Sequence, residues 1–408
     1  MASVFPRNFK WGAATASYQV EGSIENNDWA EAAREGRVPI CGIAADHYHR
    51  YEEDFDIAQS LGHNAHRFSI EWARIEPEEG VFDEQAIEHY QKVLQALHER
   101  GLEPFVTLWH FTLPLWLSRK GGFENKESAH LFARYVGKVV SAFGEQCTFY
   151  STMNEPNVFA THGYLYGAWP PFKRLRIGFK QVGKEDGSSE RTNATARFRH
   201  LFSYIRVMRN LVDAHNQAYT VIKKIQPAAQ VSVVKHVHIF DANEQWSNQI
   251  KARIAQYFQT DRFMKRVIKY SDMIAVNYYR STRFGESRNF LFTDMGWKVL
   301  PSAIYDVLIY LRRYKKPIFI AEAGIADADD DLRPHYIMVQ VKAVERALQD
   351  GVDVRGHMYW SLLDNYEWAL GFEKRFGLVE IDYETLERKI RPSAYVYKDI
   401  IEQNGVVE

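Results

Sequence analysis

Two glutamates in β-prone segments are the residues of this sequence best suited to acid–base chemistry. Glu155 follows an apolar segment that begins near Cys147, and Pro156 comes directly after it. Because proline fixes φ and has no N–H, Glu155 is predicted at the junction of a strand and a helix. Glu322 lies near the end of a second apolar segment, 318–324. Two carboxyl groups across a pocket, one protonated and one ionised, are what hydrolysis of a glycosidic bond requires.

Two simpler interpretations stay open at this point. The charge of Glu155 alone would stabilise a helix N-terminus, whatever else the residue does. A pair of buried carboxylates with basic partners can also be purely structural. The elements that carry the two glutamates decide between these interpretations, because they determine whether the side chains meet.

Eight β-prone segments alternate with segments of helical periodicity along the chain. The predicted strands are 9–15, 65–70, 104–110, about 147–155, 231–237, 273–279, 318–324 and 354–361. Alternation of this kind predicts an α/β fold with a parallel sheet, and eight repeats predict a single (β/α)8 TIM barrel. We find no linker, so residues 1–408 are predicted to form one catalytic domain. A polar, mobile insertion is expected near 173–200, and a polar loop at 17–22.

Polar and aromatic residues cluster at the carboxyl ends of the predicted strands, which converge on one rim of a barrel. They are Gln19, Arg67, His110, Asn154, Glu155, Asn277, Tyr279, Glu322 and Trp360. Glu155 and Glu322 face each other in this arrangement. Arg67 and the Tyr279 hydroxyl are the predicted partners of an ionised Glu322, since a cation and a hydroxyl donor both favour the charged form.

Composition excludes several classes of partner. The 408 residues carry a formal net charge of −1, which does not favour nucleic acid or an anionic membrane. No apolar segment approaches the roughly 20 residues of a membrane span, and the N-terminus lacks the apolar core of a signal peptide. Cys41 and Cys147 are predicted to be buried thiols. We therefore expect a cytoplasmic protein, whose oligomeric state the sequence leaves open.

Several ordered segments resemble one known family. They are 9–22 (FKWGAATASYQVEG), 67–72 (RFSIEW), 152–156 (TMNEP), 276–279 (VNYY), 360–368 (WSLLDNYEW) and 375–378 (RFGL). In this order and spacing the chain resembles glycoside hydrolase family 1, the β-glucosidase family. The resemblance runs from residue 5 to about residue 395, so it covers nearly the whole chain.

The resemblance implies a role for each matched residue. Glu155 would be the general acid/base and Glu322 the nucleophile of a retaining reaction, roughly 5–5.5 Å apart. Arg67, Asn277 and Tyr279 would support this pair. The substrate-binding residues would be Asn154 at the sugar 2-hydroxyl; Gln19, His110, Glu367 and Trp368 at the 3-, 4- and 6-hydroxyls; Trp360 against the sugar face; and Trp297 on the leaving-group side.

The implied activity is hydrolysis of terminal β-D-glucosyl residues, with β-D-galactosyl and β-D-fucosyl residues as further substrates. The substrates would be small β-glucosides, cello-oligosaccharides and aryl β-glycosides. No cofactor and no metal are required, because proton transfer and carboxylate attack complete the reaction. His47 and His49 have a spacing that fits a structural role better than a metal site. A silent sugar-binding protein and a transglycosylase on the same barrel are the alternatives.

The sequence departs from the family pattern at a few positions. Ala323 follows Glu322 where the family usually has asparagine, and His66 replaces a common aromatic residue. Phe111 and Thr112 follow His110 in place of tryptophan and aspartate, so contacts near the cleft mouth should differ. The segment 237–277 is shorter than in most members, which predicts a more open cleft.

Glu367 provides a first test of the implied substrate site. A carboxylate beside the 4- and 6-hydroxyls repels a 6-phosphate, so an unphosphorylated sugar is expected. The change Glu367→Ser should raise KM for aryl β-glucosides roughly tenfold, because a charged hydrogen bond is lost. Steady-state kinetics measure this effect, and unchanged kinetics would remove Glu367 from the site.

Overall fold

Eight parallel strands close into a barrel in the computed structural model, which describes residues 5–174, 194–285 and 290–406. Each barrel strand pairs with its neighbours in chain order, and the first strand pairs with the last. The strands of the described residues are β1 Lys10–Ala14, β2 Ala65–Ser69, β3 Glu103–Thr107, β4 Phe149–Asn154, β5 Gln230–His236, β6 Phe240–Ala242, β7 Ile274–Tyr278, β8 Thr282–Phe284, β9 Ile318–Ala323, β10 Val354–Trp360, β11 Val379–Ile381 and β12 Arg388–Ile390. All strands except β6, β8, β11 and β12 belong to the barrel, which confirms the predicted (β/α)8 fold.

Helices separate the barrel strands, as a parallel sheet requires. Those of the described residues are α1 Ser17–Val20, α2 Asp28–Arg34, α3 His47–Ser60, α4 Trp72–Ile75, α5 Glu84–Glu99, α6 Leu115–Arg119, α7 Ser128–Phe143, α8 Pro156–Tyr164, α9 Ala194–Ile225, α10 Trp246–Gln256, α11 Arg262–Val267, α12 Ile304–Leu311, α13 Arg333–Gln349 and α14 Pro392–Gln403. None of these helices has the length and apolarity needed to cross a bilayer.

Two local predictions were wrong. The segment 17–22, predicted as a polar loop, contains the short helix α1, whose residues are all buried. The helix after the polar insertion begins at Ala194, well before the predicted start near Leu211. Polar and basic residues dominate the first turns of α9, so its apolar periodicity becomes visible only further along the chain.

The predicted mobile insertion at 173–200 lies largely outside the described residues, since 175–193 are not among them. That the whole chain forms one domain stays a prediction. Cys41 and Cys147 are buried free thiols, as expected.

Aromatic rings fill the inside of the barrel below the strand ends. Phe105 on β3 stacks between Phe149 of β4 and Phe319 of β9, with ring centroids 4.4 and 4.2 Å apart. The rings belong to an interior apolar cluster that also includes Val234 and Trp360. This packed layer closes the barrel from below, so a ligand can enter only from the carboxyl ends of the strands.

A larger apolar cluster lies between the barrel and its helices, and it fixes the strands from outside. The amphipathic helices α5 and α7 bury residues such as Leu94, Leu97, Val136 and Val140 in it. Alternate strand residues face inward and outward. The outward contacts therefore determine where the inward-facing side chains at the strand ends point.

A small parallel sheet, separate from the barrel, forms part of the rim. Phe240 of β6 pairs with Thr282 of β8, and the backbone N–H of Thr282 donates to Ile239 O at 2.9 Å. The two strands follow β5 and β7 closely in the chain. The segments after two neighbouring barrel strands are thereby joined directly beside the cleft.

The aromatic layer should contribute strongly to stability. We expect Phe105→Ala to lower the free energy of unfolding by about 3–5 kcal/mol, because it leaves a cavity between two stacked rings. Thermal and chemical denaturation would measure the loss. Phe258→Ala is the control, since that ring is 58% exposed and its removal should change stability by less than about 0.5 kcal/mol. Equal effects of the two substitutions would contradict this account of the core.

Candidate active site

The Glu322 carboxylate, at the end of β9, is held by two donors. Arg67 Nη1 on β2 donates to Oε1 at 2.5 Å, and the Tyr279 hydroxyl donates to Oε2 at 2.7 Å. Only 3% of Glu322 is exposed. With both oxygens accepting from fixed donors, the carboxylate cannot rotate freely, and a guanidinium compensates its charge. The predicted partners of Glu322 therefore do contact it.

Arg67 is buried, and each of its three guanidinium nitrogens donates a hydrogen bond. Its Nε donates to Thr107 Oγ1 at 3.0 Å, and Nη1 also donates to Ala321 O at 3.2 Å. Its Nη2 donates to Asn154 Oδ1 at 2.9 Å. A buried cation is stable only when its donors find partners, so strands β2, β3, β4 and β9 must all be in place to hold it.

A chain of hydrogen bonds links the two glutamates through amide side chains. Asn154 Oδ1, which accepts from Arg67, also accepts from Asn277 Nδ2 at 3.2 Å. The same Asn277 nitrogen donates to Glu155 Oε1 at 2.8 Å. Glu322, Arg67, Asn154, Asn277 and Glu155 thus form one network across the barrel mouth.

Glu155 lies in a different environment from Glu322. Burial, followed by the nearby charge of Glu322, raises the pKa of Glu155 well above its usual range. The Asn277 amide opposes this shift but does not cancel it. Asn277 is the hydrogen-bond donor to its carboxyl group, whereas Glu322 has an ion pair and a hydroxyl. The two carboxyl groups therefore differ in the way that an acid and a nucleophile must differ.

The backbone at Glu155 is in the left-handed region, with φ of 42°. The conformation costs a non-glycine residue about 1–2 kcal/mol. It occurs directly between the last residue of β4 and Pro156, the first residue of α8. The Glu155 N–H donates to Val234 O at 2.9 Å, which fixes the turn against β5. The turn places the side chain at the barrel mouth, as its sequence position predicts.

Both carboxyl groups line one cleft of about 610 Å³ at the carboxyl ends of the strands. Ten of the twelve predicted site residues line it: Gln19, His110, Asn154, Glu155, Tyr279, Trp297, Glu322, Trp360, Glu367 and Trp368. The remaining two, Arg67 and Asn277, lie behind the cleft and contact the glutamates. The structure thus brings all twelve together, while the role of each stays a prediction.

Four buried polar atoms of residues that line this cleft have no hydrogen-bond partner among the described residues: Gln19 Oε1, His110 Nδ1, Asn157 Oδ1 and His162 Nδ1. Gln19 Nε2 already donates to Asn365 Oδ1 at 2.8 Å, so its amide orientation is fixed. His110 Nε2 lies 3.1 Å from Asn154 Nδ2. An amide nitrogen can only donate, so the proton of the neutral ring must be on Nδ1. Gln19 Oε1 is thus an acceptor, and His110 Nδ1 a donor, for ligand hydroxyls.

Flat aromatic surfaces line the part of the cleft around His110. The His110 ring is nearly parallel to Trp360 and to Trp368, with centroids 6.0 and 5.9 Å away. Trp368 in turn stacks on Tyr18 at 6.2 Å. Such faces suit the apolar side of a sugar ring, and the adjoining polar atoms suit its hydroxyls.

Glu367 is half-buried beside these rings. Burial and the charge of Glu322 raise its pKa to about 8. At neutral pH it is therefore largely protonated, and it can both donate to and accept from hydroxyl groups. Glu367 therefore carries little negative charge at neutral pH, and it repels a 6-phosphate less strongly than the sequence predicted.

Sequence reasoning missed several residues that line the cleft. His236 lines the cleft from the end of β5, and Arg280 follows Tyr279 after β7; His162 and His238 line the same side. The rule that barrel strands end at the site would have found His236, because the fifth strand was the one without a candidate. Thr112, expected near the mouth, instead bonds Glu71 behind the cleft.

Within the described residues, no three histidine, cysteine, aspartate or glutamate side chains are arranged to hold a metal ion. His47 Nδ1 contacts Asp54 Oδ2 at 2.7 Å, and His49 Nδ1 contacts Asp46 Oδ1 at 2.6 Å. A second groove, of about 620 Å³, includes His130, Arg134 and Asn216 but lacks a carboxylate pair.

Comparison with known sequences agrees with the geometry. The sequence profile described as Glycosyl hydrolase family 1 matches residues 1–269 and 242–406. The chain belongs to glycosyl hydrolase family 1. It is a β-glucosidase-type O-glycosyl hydrolase with the TIM-barrel fold of that family, as the motifs predicted.

Members of family 1 resemble the chain over almost its whole length. It is 31% identical to β-glucosidase A of Acetivibrio thermocellus, with 98% of this chain and 99% of that protein covered. It is 30% identical to a β-galactosidase of Sulfolobus acidocaldarius, with 99% and 96% covered. Among solved structures, a β-glycosidase from Pyrococcus horikoshii superposes with a TM-score of 0.86 at 36% identity, covering 99% and 96%. A Thermotoga maritima β-glucosidase in complex with glucoimidazole gives 0.87 at 30%, covering 98% and 99%.

The pKa of Glu155 should depend on Glu322. Replacing Glu322 by Gln removes the negative charge but keeps the burial, so the pKa of Glu155 should fall yet stay above that of an exposed glutamate. At a fixed pH near neutrality, more of Glu155 is then deprotonated. Carbon NMR titration of protein labelled at the glutamate carboxyl carbons measures this, with Glu155→Gln used to assign the resonance.

Glu88→Gln serves as the control for this titration. Glu88 is a surface residue of α5, paired with Lys92, and does not contribute to the shift at Glu155. An unchanged pKa of Glu155 in Glu322→Gln would show that the two carboxyl groups do not interact.

Proposed function

We propose that this enzyme hydrolyses terminal, non-reducing β-D-glucosyl residues by a double displacement that retains the anomeric configuration. The observation that supports this proposal is the network from Glu322 through Arg67, Asn154 and Asn277 to Glu155. It places an ion-paired carboxylate and a carboxyl group of raised pKa in one cleft. The expected separation of the two groups is roughly 5–5.5 Å.

In the first step, a carboxylate oxygen of Glu322 attacks the anomeric carbon. The bond from that carbon to the leaving oxygen breaks, and Glu155 transfers its proton to the departing oxygen. The products are a glycosyl ester of Glu322, a free alcohol and a deprotonated Glu155. Burial favours the protonated form of Glu155 before the step, so the acid is ready at neutral pH.

In the second step, Glu155 acts as a base. Esterification removes the negative charge of Glu322, which was one cause of the raised pKa of Glu155. The carboxylate of Glu155 is therefore stable long enough to accept a proton from water, whose oxygen attacks the anomeric carbon. The ester bond breaks, the sugar leaves with its original configuration, and Glu322 returns to its ion pair with Arg67.

The same cleft supports the proposed choice of sugar. Gln19 Oε1 and His110 Nδ1 are available for hydroxyls, and Trp360 and Trp368 offer ring surfaces. Relatives named β-glucosidase and β-galactosidase match the chain almost equally well. We therefore propose that β-D-galactosyl and β-D-fucosyl residues are also accepted. Cytoplasmic location and a role in carbohydrate metabolism stay predictions.

Leaving-group chemistry separates the roles of the two glutamates. In Glu155→Gln, kcat/KM for a phenyl β-glucoside should fall about 10²–10⁴-fold, because its departing oxygen needs a proton. For 2,4-dinitrophenyl β-glucoside the loss should be much smaller, since that phenolate leaves without protonation. In Glu322→Gln both substrates should lose essentially all turnover, because no covalent intermediate forms.

Glu88→Gln, at the surface of α5, should keep wild-type rates on both substrates. Wild-type rates in Glu155→Gln or in Glu322→Gln would refute the assignment of the altered residue. Equal losses on the two substrates in Glu155→Gln would show that this residue is not the acid.

The pH dependence follows from the same assignment. Glu155 must be protonated in the first step, so kcat/KM should fall as pH rises through its raised pKa. The descending limb should shift to higher pH in Asn277→Ala, because the Asn277 amide donates to the Glu155 carboxyl group and lowers its pKa. Kinetics from pH 4 to 10 test this, and an unshifted limb would show that the limb does not report the ionisation of Glu155.

A further inference from the structure

Arg280, on the proposed leaving-group side of the cleft, has a guanidinium without an acidic hydrogen-bond or ion-pair partner among the described residues. Arg280, directly after Tyr279, lines the cleft and is exposed to it. Among the described residues it makes no salt bridge and no hydrogen bond, and its guanidinium carbon lies 5.3 Å from the centroid of the Trp297 ring. Arg283 on β8, by contrast, pairs with Asp241 at 3.4 Å.

The surroundings of Arg280 are basic or neutral. His162, His236 and His238 line the same side, and the charge of Arg280 is among the causes that lower the pKa of all three rings. Burial is the first cause in each case, so the rings are neutral at pH 7. The acidic residues among those that line the cleft are Glu155, Glu322 and Glu367. Beyond the acid/base itself, the leaving-group side therefore has no described carboxylate to neutralise Arg280.

The position of Arg280 is well defined by its backbone. It lies between the end of β7 at Tyr278 and the start of β8 at Thr282. The pairing of β8 with β6 and the bond from Thr282 N to Ile239 O hold the segment at both ends. The Thr282 hydroxyl also contacts His238 Nε2 at 2.7 Å. The guanidinium is thus presented to the cleft by ordered structure on both sides.

The Trp297 ring lies close both to Arg280 and to Tyr279. Its ring lies 5.7 Å from the ring of Tyr279, whose hydroxyl bonds Glu322. A leaving group that extends outward from the anomeric carbon therefore passes the face of Trp297 before it reaches Arg280. An aromatic ring can lie against the tryptophan while a planar anionic substituent meets the guanidinium fork.

We propose that the leaving-group site selects glycosides whose aromatic leaving group carries a carboxylate, with Arg280 as the residue that binds this carboxylate. The inference rests on the proposed β-glucosidase activity and adds a substrate class to it. A guanidinium without a protein counter-ion gains most from an anionic ligand, because no existing ion pair must be broken. Neutral leaving groups remain substrates, but they leave Arg280 unpaired.

Two matched glucosides test the proposal: 3-carboxyphenyl and 3-carbamoylphenyl β-D-glucoside, which have the same shape and differ in charge. The quantity of interest is the ratio of kcat/KM for the acid to that for the amide. In Arg280→Gln this ratio should fall about fivefold relative to wild type, the size expected for an ion pair open to solvent. The change should appear mainly in KM, since the contact exists before and during the reaction.

Taking a ratio cancels the intrinsic reactivity of each phenol and any general damage to the enzyme. Arg280→Lys, which keeps the charge, should retain at least half of the wild-type preference. Arg283→Gln is the matched control, because its side chain pairs with Asp241 and does not line the cleft; its ratio should equal that of wild type.

An identical ratio in wild type and Arg280→Gln would overturn the proposal, as would an equal fall in Arg283→Gln. If wild type hydrolyses 4-nitrophenyl β-glucoside normally while the ratio does not respond to Arg280, only this inference fails. If wild type hydrolyses none of the three glucosides, the proposed function fails, and this inference falls with it.

Discussion

The buried guanidinium of Arg67 is the interaction on which the site depends. It donates to Thr107, Ala321, Glu322 and Asn154, which lie on three other strands of the barrel. A cation in this position requires every one of these acceptors, because an unpaired buried charge would cost several kcal/mol. Arg67 therefore makes the closed barrel and the ordered catalytic network mutually dependent.

The asymmetry between the two glutamates follows from this arrangement. Glu322 forms an ion pair with Arg67, while Glu155 receives an amide donor, and burial and the Glu322 charge raise the pKa of Glu155. The guanidinium contacts only one of the two carboxyl groups, so their surroundings differ. The proposed double displacement requires such a difference.

The two ends of the cleft are built differently. The sugar end has stacked rings and polar atoms held rigidly by neighbours, such as Gln19 by Asn365 and His110 by Asn154. The leaving-group end is formed by segments beyond the strand ends, with Arg280 and the histidines around the β6–β8 pair. The proposed sugar recognition and the proposed choice of leaving group therefore depend on different elements of one barrel.

Much of this protein could be predicted from the order of its residues. Eight alternating strand and helix patterns predicted the barrel, since periodicity and turn residues are local properties. Pro156 located Glu155 at a strand end, and the motifs named twelve residues that the fold brings together, ten lining the cleft and two behind it. Local patterns gave a wrong prediction at the start of α9, where polar residues obscure the helical periodicity. They were also wrong for α1, because its polar residues are buried by segments distant in sequence.

Only the tertiary structure decided which atoms meet. No sequence spacing shows that Asn154 bridges Arg67 and Asn277, that Thr112 turns away toward Glu71, or that Arg280 lies over Trp297 without an acidic partner among the described residues. These contacts join residues far apart in the chain, and burial by the whole barrel determines their protonation. Sequence alone determines which chemical groups are present and on which rim they lie; the closed barrel determines their distances and their charges.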